Sequence, residues 1–122
     1  MASIQHFGFS EEQNRISLIF KALAHPARLA ILEELIRDKK VMCKQIELEI
    51  PLSRSSVSGH LKILLESGIL GYEKVENVTY YVINPLMLEG AKELLQSTIA
   101  DTNSQNHDYR RTFFKILPHE MN

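Results

Sequence analysis

The sequence predicts a mainly α-helical fold with a small β-hairpin. Apolar residues recur every three to four positions through most of the chain, and between residues 70 and 83 this period shortens towards two. A length of 122 residues suits one domain, and 44% hydrophobic with 24% charged residues is an ordinary globular composition. We expect one domain over residues 1–100 and a C-terminal tail over 101–122.

Composition sets limits on location and partners. No apolar run exceeds about four residues, far short of a bilayer-spanning helix, so no membrane association is expected. The single cysteine, Cys43, cannot close an intrachain disulfide and fits a reducing compartment, so a cytoplasmic location is expected. The net charge of −1 argues mildly against a nucleic-acid partner, so such a function must rest on pattern.

Capping signals define the first two helices. Ser10 with Gln13 three residues later is a capping box, and apolar residues at helical spacing then predict a first helix over about 10–23. Pro26 suits the first turn of a second helix, which we expect to end near Asp38.

The next segment contains two helices joined by a tight turn. Residues 38–40 are charged and predict a solvated loop, and a short third helix with Cys43, Ile46 and Ile50 on one face ends before Pro51. Ser53 is a good N-cap for a longer helix over 53–67, and Gly68 is its natural stop.

A hairpin and a last helix complete the domain. Residues 70–75 and 78–83 are rich in Val, Tyr and Ile and flank the turn-prone pair Glu76-Asn77, which predicts a β-hairpin. Asn84-Pro85 starts a further helix that we expect to span about 85–100. The tail reads as a linker followed by a short amphipathic helix with an apolar stripe of Tyr109, Phe113, Phe114, Ile116 and Leu117.

A short helix, a proline-containing turn, a longer helix and a hairpin form the order of a winged helix-turn-helix. In the helix over 53–67, the side opposite its apolar stripe carries Ser55, Ser58, Gly59 and Lys62. A helix with such small outward residues can sit deep in the major groove of DNA. Gly59 costs helix stability, so close contact with a partner explains it better than helix formation; drift on a surface helix is the alternative.

Three ordered segments resemble the ArsR/SmtB-type winged-helix repressors. They are residues 21–32 (KALAHPARLAIL), residues 52–62 (LSRSSVSGHLK) followed by 66–70 (ESGIL), and residues 79–83 (TYYVI). The resemblance covers about residues 15–98. It implies a homodimer that places two recognition helices in successive major grooves of double-stranded DNA carrying an inverted repeat.

The resemblance also implies which residues act. The dimer would form through the first and last helices, with interface residues Ile16, Ile19, Phe20, Leu88, Ala91 and Leu95. The predicted DNA-binding residues are Ser53, Arg54, Ser55, Ser56, Ser58, Gly59, His60, Lys62, Lys74, Asn77 and Thr79.

Individual roles within this set differ. Arg54 is the candidate for bidentate contact with guanine, or else a solvated first-turn arginine, and Lys62 is the candidate for phosphate contact. His60 could donate to a phosphate or pack internally. The hairpin departs from the family pattern of arginines and a glycine at the tip. Its Glu73 and Glu76 repel phosphate, which puts anchoring in the minor groove in doubt. We therefore expect modest, salt-sensitive affinity.

No cofactor or metal is predicted. Met42 and Lys44 stand where metal-sensing relatives carry a pair of thiolates, and a lysine would repel a cation. Cys43 lies between them, as a small buried hydrophobe or as a thiol that senses oxidant. The tail stripe packs on the dimer, or forms with the dimer helices a pocket for a small organic effector.

Two other classes of function fit the sequence less well. An enzyme needs a converging nucleophile, base and orienting group, which the serines and His60 do not supply, so no enzymatic activity is expected. A winged helix that binds proteins without specific DNA binding is the stronger alternative. The small serine-rich face argues against it, because an interaction helix would expose large apolar or aromatic anchors.

Overall fold

A computed structural model of the chain describes residues 7–104. The elements in order are α1 Glu11–Leu23, α2 Pro26–Asp38, β1 Lys40–Met42, α3 Cys43–Glu49, α4 Arg54–Glu66, β2 Leu70–Val75, β3 Val78–Ile83, a 3₁₀ turn Pro85–Leu88 and α5 Glu89–Ser104. Within that range no helix combines the length and the apolar character that crossing a bilayer requires. The fold is a winged helix-turn-helix, in which α3 and α4 form the helix-turn-helix and β2 with β3 forms the wing.

The starts of α1 and α2 are fixed by side-chain caps. The Gln13 amide donates to Ser10 Oγ and the Ser10 amide donates to Gln13 Oε1, both at a distance of 3.0 Å, which completes the predicted capping box. His25 caps α2 because its Nδ1 accepts from the Ala27 amide at 3.0 Å, and Pro26 occupies the first helical position. Both predicted helix starts are confirmed.

The wing turn follows from backbone geometry. Val75 pairs with Val78 in the β2–β3 ladder, so only Glu76 and Asn77 lie between the strands. Both have positive φ, 52° and 69°, as a two-residue type I′ turn requires. The predicted hairpin and its turn are confirmed.

The prediction of a loop over residues 38–40 was wrong, although all three residues are exposed to solvent as expected. Lys39, with φ of 69°, ends α2 and reverses the chain, and Lys40–Met42 pairs antiparallel with β3, giving a sheet of order β1-β3-β2. Val41 is fully buried. A strand of three residues is too short to show an alternating pattern in sequence; the free edge of β3 specifies it.

One apolar core lies beneath these elements. Its buried members come from α1 to α4, from β1 and β2 and from the start of α5, and Tyr81 and Ile83 of β3 pack against them half-buried. The buried residues of the cluster are Ile19, Ala22, Ile31, Leu35, Val41, Ile46, Ile50, Val57, Leu61, Leu64, Ile69, Leu70 and Ala91. Gly68, at φ of 81°, lets the chain leave α4 for β2 at the predicted position.

The last helix is longer than predicted. It begins as a 3₁₀ turn at Pro85 and continues as α5 to Ser104, past the expected end near residue 100. Of the described residues, 7–91 belong to one compact unit and 92–104 belong to a second. The predicted tail stripe from Tyr109 to Leu117 lies outside the described residues, and the predicted division at residue 100 stays a prediction.

Candidate nucleic-acid interface

The two sides of α4 differ in chemistry. Val57, Leu61 and Leu64 are 0%, 2% and 0% exposed and anchor the helix in the core. On the other side Ser55, Ser58, Gly59 and Lys62 are all exposed, and a Cβ built on Gly59 would meet no atom within 4 Å. These four positions therefore form a shallow, polar patch on the solvent side of α4, beside Ile63, which is 40% exposed.

Serines organise the start of α4. Ser53 Oγ accepts from the Ser56 amide at 3.2 Å, which confirms Ser53 as the N-cap. Its hydroxyl also lies 2.9 Å from Ser56 Oγ and 3.2 Å from Ser55 Oγ. These three exposed hydroxyls form a compact polar cluster at the positive end of the helix dipole, which favours an approaching anion.

Both cations of the surface are exposed and loosely paired. Arg54 Nε lies 3.4 Å from Glu47 Oε2, and Lys62 Nζ lies 3.9 Å from Glu66 Oε1. The side chains of Arg54 and Lys62 are 85% and 75% exposed. Because both cations are largely exposed, solvent screens these ion pairs, and the N–H groups of Arg54 and Lys62 that face solvent stay available to a phosphate or a base.

His60 faces the body of the domain. Its Nδ1 lies 3.1 Å from Arg28 Nη1, and its ring stacks at a tilt on His25 with centroids 4.2 Å apart. Because arginine only donates, His60 Nδ1 must accept, which requires a neutral ring with its proton on Nε2. Desolvation, and then the neighbouring His25 and Arg28, lower the pKa of His60. Of the two roles considered, the packing role is the one this geometry favours.

The wing carries one cation, Lys74, where the family pattern has arginines. Lys74 and Asn77 are exposed and Thr79 is half-buried beside Lys74 in the ladder. Glu73 is paired with Lys40 of β1, whose Nζ lies 3.1 Å from Glu73 Oε1. Lys40 therefore offsets part of the acidic charge on the wing, a contribution that follows from the unpredicted strand.

The six residues predicted to form a dimer interface occupy different environments. Ile19 and Ala91 are buried in the core of the chain itself, and Ile16, Phe20 and Leu88 are half-buried against that core. In the second unit, Leu95 is 51% exposed on α5 together with Leu94 and Ile99. The exposed apolar surface of α5 is thus carried by Leu94, Leu95 and Ile99.

Cys43 is half-buried and packs against the core. Its Sγ donates to Glu47 Oε1 at 3.5 Å, and burial followed by this hydrogen bond raises the pKa of the thiol. A raised pKa keeps the thiol protonated and weakly nucleophilic at neutral pH. Among residues 7–104 there is no group of three or more His, Cys, Asp or Glu side chains arranged to hold a metal ion.

Comparisons with known proteins agree with this geometry. Residues 23–71, which run from the end of α1 to the start of β2, match the family model of a helix-turn-helix domain. The chain is 38% identical over 72 residues to the arsenical resistance operon repressor of Bacillus subtilis, covering 58% of this chain and 68% of the relative. The chain belongs to the ArsR family of transcriptional regulators.

Two further regulators extend the match. The transcriptional repressor PagR of Bacillus anthracis is 35% identical over 77 residues, covering 63% of this chain and 77% of the repressor. The crystal structure of PagR superposes with a TM-score of 0.58 at 32% identity, over 68% of this chain and 94% of PagR. An ArsR-like regulator from Rhodococcus sp. RHA1 shares the fold, with a TM-score of 0.67 at 21% identity over 84% and 96% of the two chains. The protein is a DNA-binding transcriptional regulator of the helix-turn-helix class.

Sequence reasoning missed the residues that hold this surface from behind. Glu47 contacts Arg54, Lys40 contacts Glu73, and Arg28 contacts His60. Each pair joins different elements; the separations of the last two, 33 and 32 residues, put them far outside any helical repeat. Of the three contacts, only that between Glu47 and Arg54 could have been predicted from sequence, because Glu47 lies a short distance before the predicted start of α4.

The depressed pKa of His60 predicts a pH dependence of stability. Because the folded state binds a proton at His60 less readily than the unfolded chain, the free energy of unfolding should fall as pH is lowered below about 6.5. A His60→Gln variant keeps an acceptor for Arg28 but does not titrate. It should reduce the dependence of the unfolding free energy on pH, which urea unfolding at a series of pH values measures.

A His25→Asn variant is the matched control. Asparagine keeps the N-cap acceptor of α2 and leaves His60 half-buried against Arg28, so most of this pH dependence should remain. An unchanged pH dependence in His60→Gln would contradict the assignment of this titration to His60.

Proposed function

We propose that the protein is a homodimeric repressor that binds an inverted-repeat operator by inserting α4 into the major groove. The observation that carries the proposal is the exposed, shallow polar face of α4 opposite its buried stripe. Named repressors among the relatives, from B. subtilis and B. anthracis, support the assignment of repression.

The dimensions of DNA explain why a shallow face matters. The major groove is about 12 Å wide, so a helix can enter it only if its outward side chains let the backbone come close to the base edges. Open space around Gly59 and the short hydroxyls of Ser55 and Ser58 permit that approach. A glycine within a helix costs about 1 kcal/mol relative to alanine, a cost that close approach to DNA would justify.

The charged residues of the proposed surface have different roles in DNA binding. Arg54, at the first helical position, is the candidate for bidentate readout of guanine, whereas Lys62 two turns later is the candidate for phosphate. Lys74 and Asn77 on the wing would contact the backbone. Since the net charge is −1 and the wing carries Glu73 and Glu76, we expect modest affinity with marked salt dependence.

A homodimer is the assembly that this proposal requires. Two copies related by a two-fold axis place two α4 helices about 34 Å apart, one turn of DNA, which matches an inverted repeat. The exposed Leu94, Leu95 and Ile99 of α5 support its use as a dimerisation helix. A small organic effector and its pocket at the tail remain predictions on residues outside the described range.

A winged helix that binds only proteins is the second candidate. The outward positions Ser55, Ser58, Gly59 and Lys62 offer it no apolar anchor, and Ile63 beside them is only 40% exposed, which speaks against this candidate. Selection of random duplex DNA by the purified protein separates the two. An enriched palindrome supports the repressor, whereas no enrichment at low salt favours the protein-binding module.

Substitution of the two cations tests the docking of α4. On the selected duplex, Arg54→Ala should weaken binding about tenfold and relax the preference at one guanine of each half-site, because a bidentate contact is lost. Lys62→Ala should weaken binding to all sequences alike and lower the salt slope by about 1. Fluorescence anisotropy across salt concentrations measures both quantities.

Lys21→Ala, which removes an exposed cation of α1 outside the proposed surface, is the control and should leave both quantities nearly unchanged. Thermal unfolding should show that all three variants stay folded. If both Arg54→Ala and Lys62→Ala bind with native affinity, the proposed docking is wrong.

The role of α5 in dimerisation has its own test. Leu95→Glu places a charge at the centre of the exposed apolar positions and should convert the dimer to monomer, because burying an unpaired carboxylate is costly. Ala100→Glu adds the same charge about 140° away around the helix and should leave the dimer intact. Sedimentation velocity reads out the mass, and a Leu95→Glu dimer of native stability would refute this interface.

A further inference from the structure

A half-buried carboxylate lies behind the arginine that begins α4. Glu47 Oε2 is 3.4 Å from Arg54 Nε, and the Glu47 side chain is 21% exposed whereas that of Arg54 is 85% exposed. Glu47 therefore sits against the body of the domain while Arg54 projects from it. The pair joins α3 to the first residue of α4 across the turn of the helix-turn-helix.

The ion pair leaves the outer edge of the guanidinium available. Its closest approach is through Nε, the nitrogen at the base of the group. Guanine is read through its O6 and N7 by two parallel N–H groups, and arginine carries four N–H donors on its two terminal nitrogens. Glu47 can thus hold Arg54 from behind while the terminal nitrogens stay exposed for a base.

The carboxylate is itself held in place. Its second oxygen, Oε1, accepts a hydrogen bond from Cys43 Sγ at 3.5 Å, one helical turn earlier on α3. Both oxygens therefore have partners on defined elements, one on α3 and one on α4. A long side chain fixed in this way loses less conformational freedom when it binds than a freely rotating one.

We propose that Glu47 is a positioning residue for DNA readout, which orients Arg54 and so sets the discrimination between operator and other sequences. This inference rests on the proposed docking of α4 in the major groove. Glu47 also brings a negative charge near the phosphates, which weakens binding to every sequence. Its removal therefore has opposite effects on general affinity and on discrimination.

The test compares Glu47→Ala and Glu47→Gln with Glu49→Gln. Glu49 is an exposed glutamate on the same helix, so Glu49→Gln removes an equal charge without touching Arg54. Dissociation constants are measured at one salt concentration for the selected duplex and for the duplex with the guanine assigned to Arg54 replaced. Their ratio is the discrimination.

Glu47→Ala should lower the discrimination about five- to tenfold, a part of the range expected for one bidentate contact. Glu47→Gln, which keeps the shape and an acceptor oxygen, should lower it less. All three variants should bind the altered duplex as tightly as the native protein or more tightly, and Glu49→Gln should keep the native discrimination. Circular dichroism checks that each variant is folded.

A double-mutant cycle with Arg54→Ala locates the effect. In the Arg54→Ala background, Glu47→Ala should cause no further loss of discrimination, because the residue through which it acts is gone. Native discrimination in Glu47→Ala, beside a clear loss in Arg54→Ala, would overturn this inference and leave the proposed function standing. Native discrimination in Arg54→Ala itself would overturn both this inference and base reading by Arg54.

Discussion

Burial of Val57, Leu61 and Leu64 fixes the rotation of α4 about its own axis, and the exposed surface follows from that rotation. These three side chains are packed with core residues from α1 to α3 and from the sheet. Turning α4 would expose their apolar surface to water, which costs about 25 cal/mol of folding free energy per Å². The polar positions on the opposite side of α4 must then face solvent. The same packing that stabilises the domain thus presents Ser55, Ser58 and Gly59 to solvent.

The electrostatics of this surface are local rather than global. With a net charge of −1, the chain has no general attraction for DNA, and two cations on the proposed surface are partly neutralised by Glu47 and Glu66. On the proposal that Glu47 orients Arg54, the carboxylate weakens binding to arbitrary sequences but favours binding to a site that offers a guanine to the terminal nitrogens of Arg54. A regulator built this way gains specificity at the expense of total affinity.

Regular elements were visible in the sequence because their signals are local. The capping box at Ser10, the proline after His25, the N-cap Ser53 and the Glu76-Asn77 turn each act within a few residues. Strand β1 was missed because three residues carry no readable period, and its pairing is decided by β3.

The candidate site was predictable only in its outer layer. The exposed serines and cations lie on one helical face, so the wheel places them together. The groups that set their behaviour come from elsewhere in the chain. Desolvation, and then His25 and Arg28, favour the neutral form of His60, and Lys40 pairs with Glu73, through tertiary contacts that no helical or strand period encodes.

Methylation protection of the selected duplex by dimethyl sulfate tests the central claim most directly. The reagent attacks guanine N7, which faces the major groove, and adenine N3, which faces the minor groove. Insertion of α4 predicts that bound protein shields guanine N7 in two half-sites about one helical turn apart, with adenine N3 still reactive there. Protection confined to adenine N3, or bound DNA with every guanine N7 fully reactive, would contradict the account.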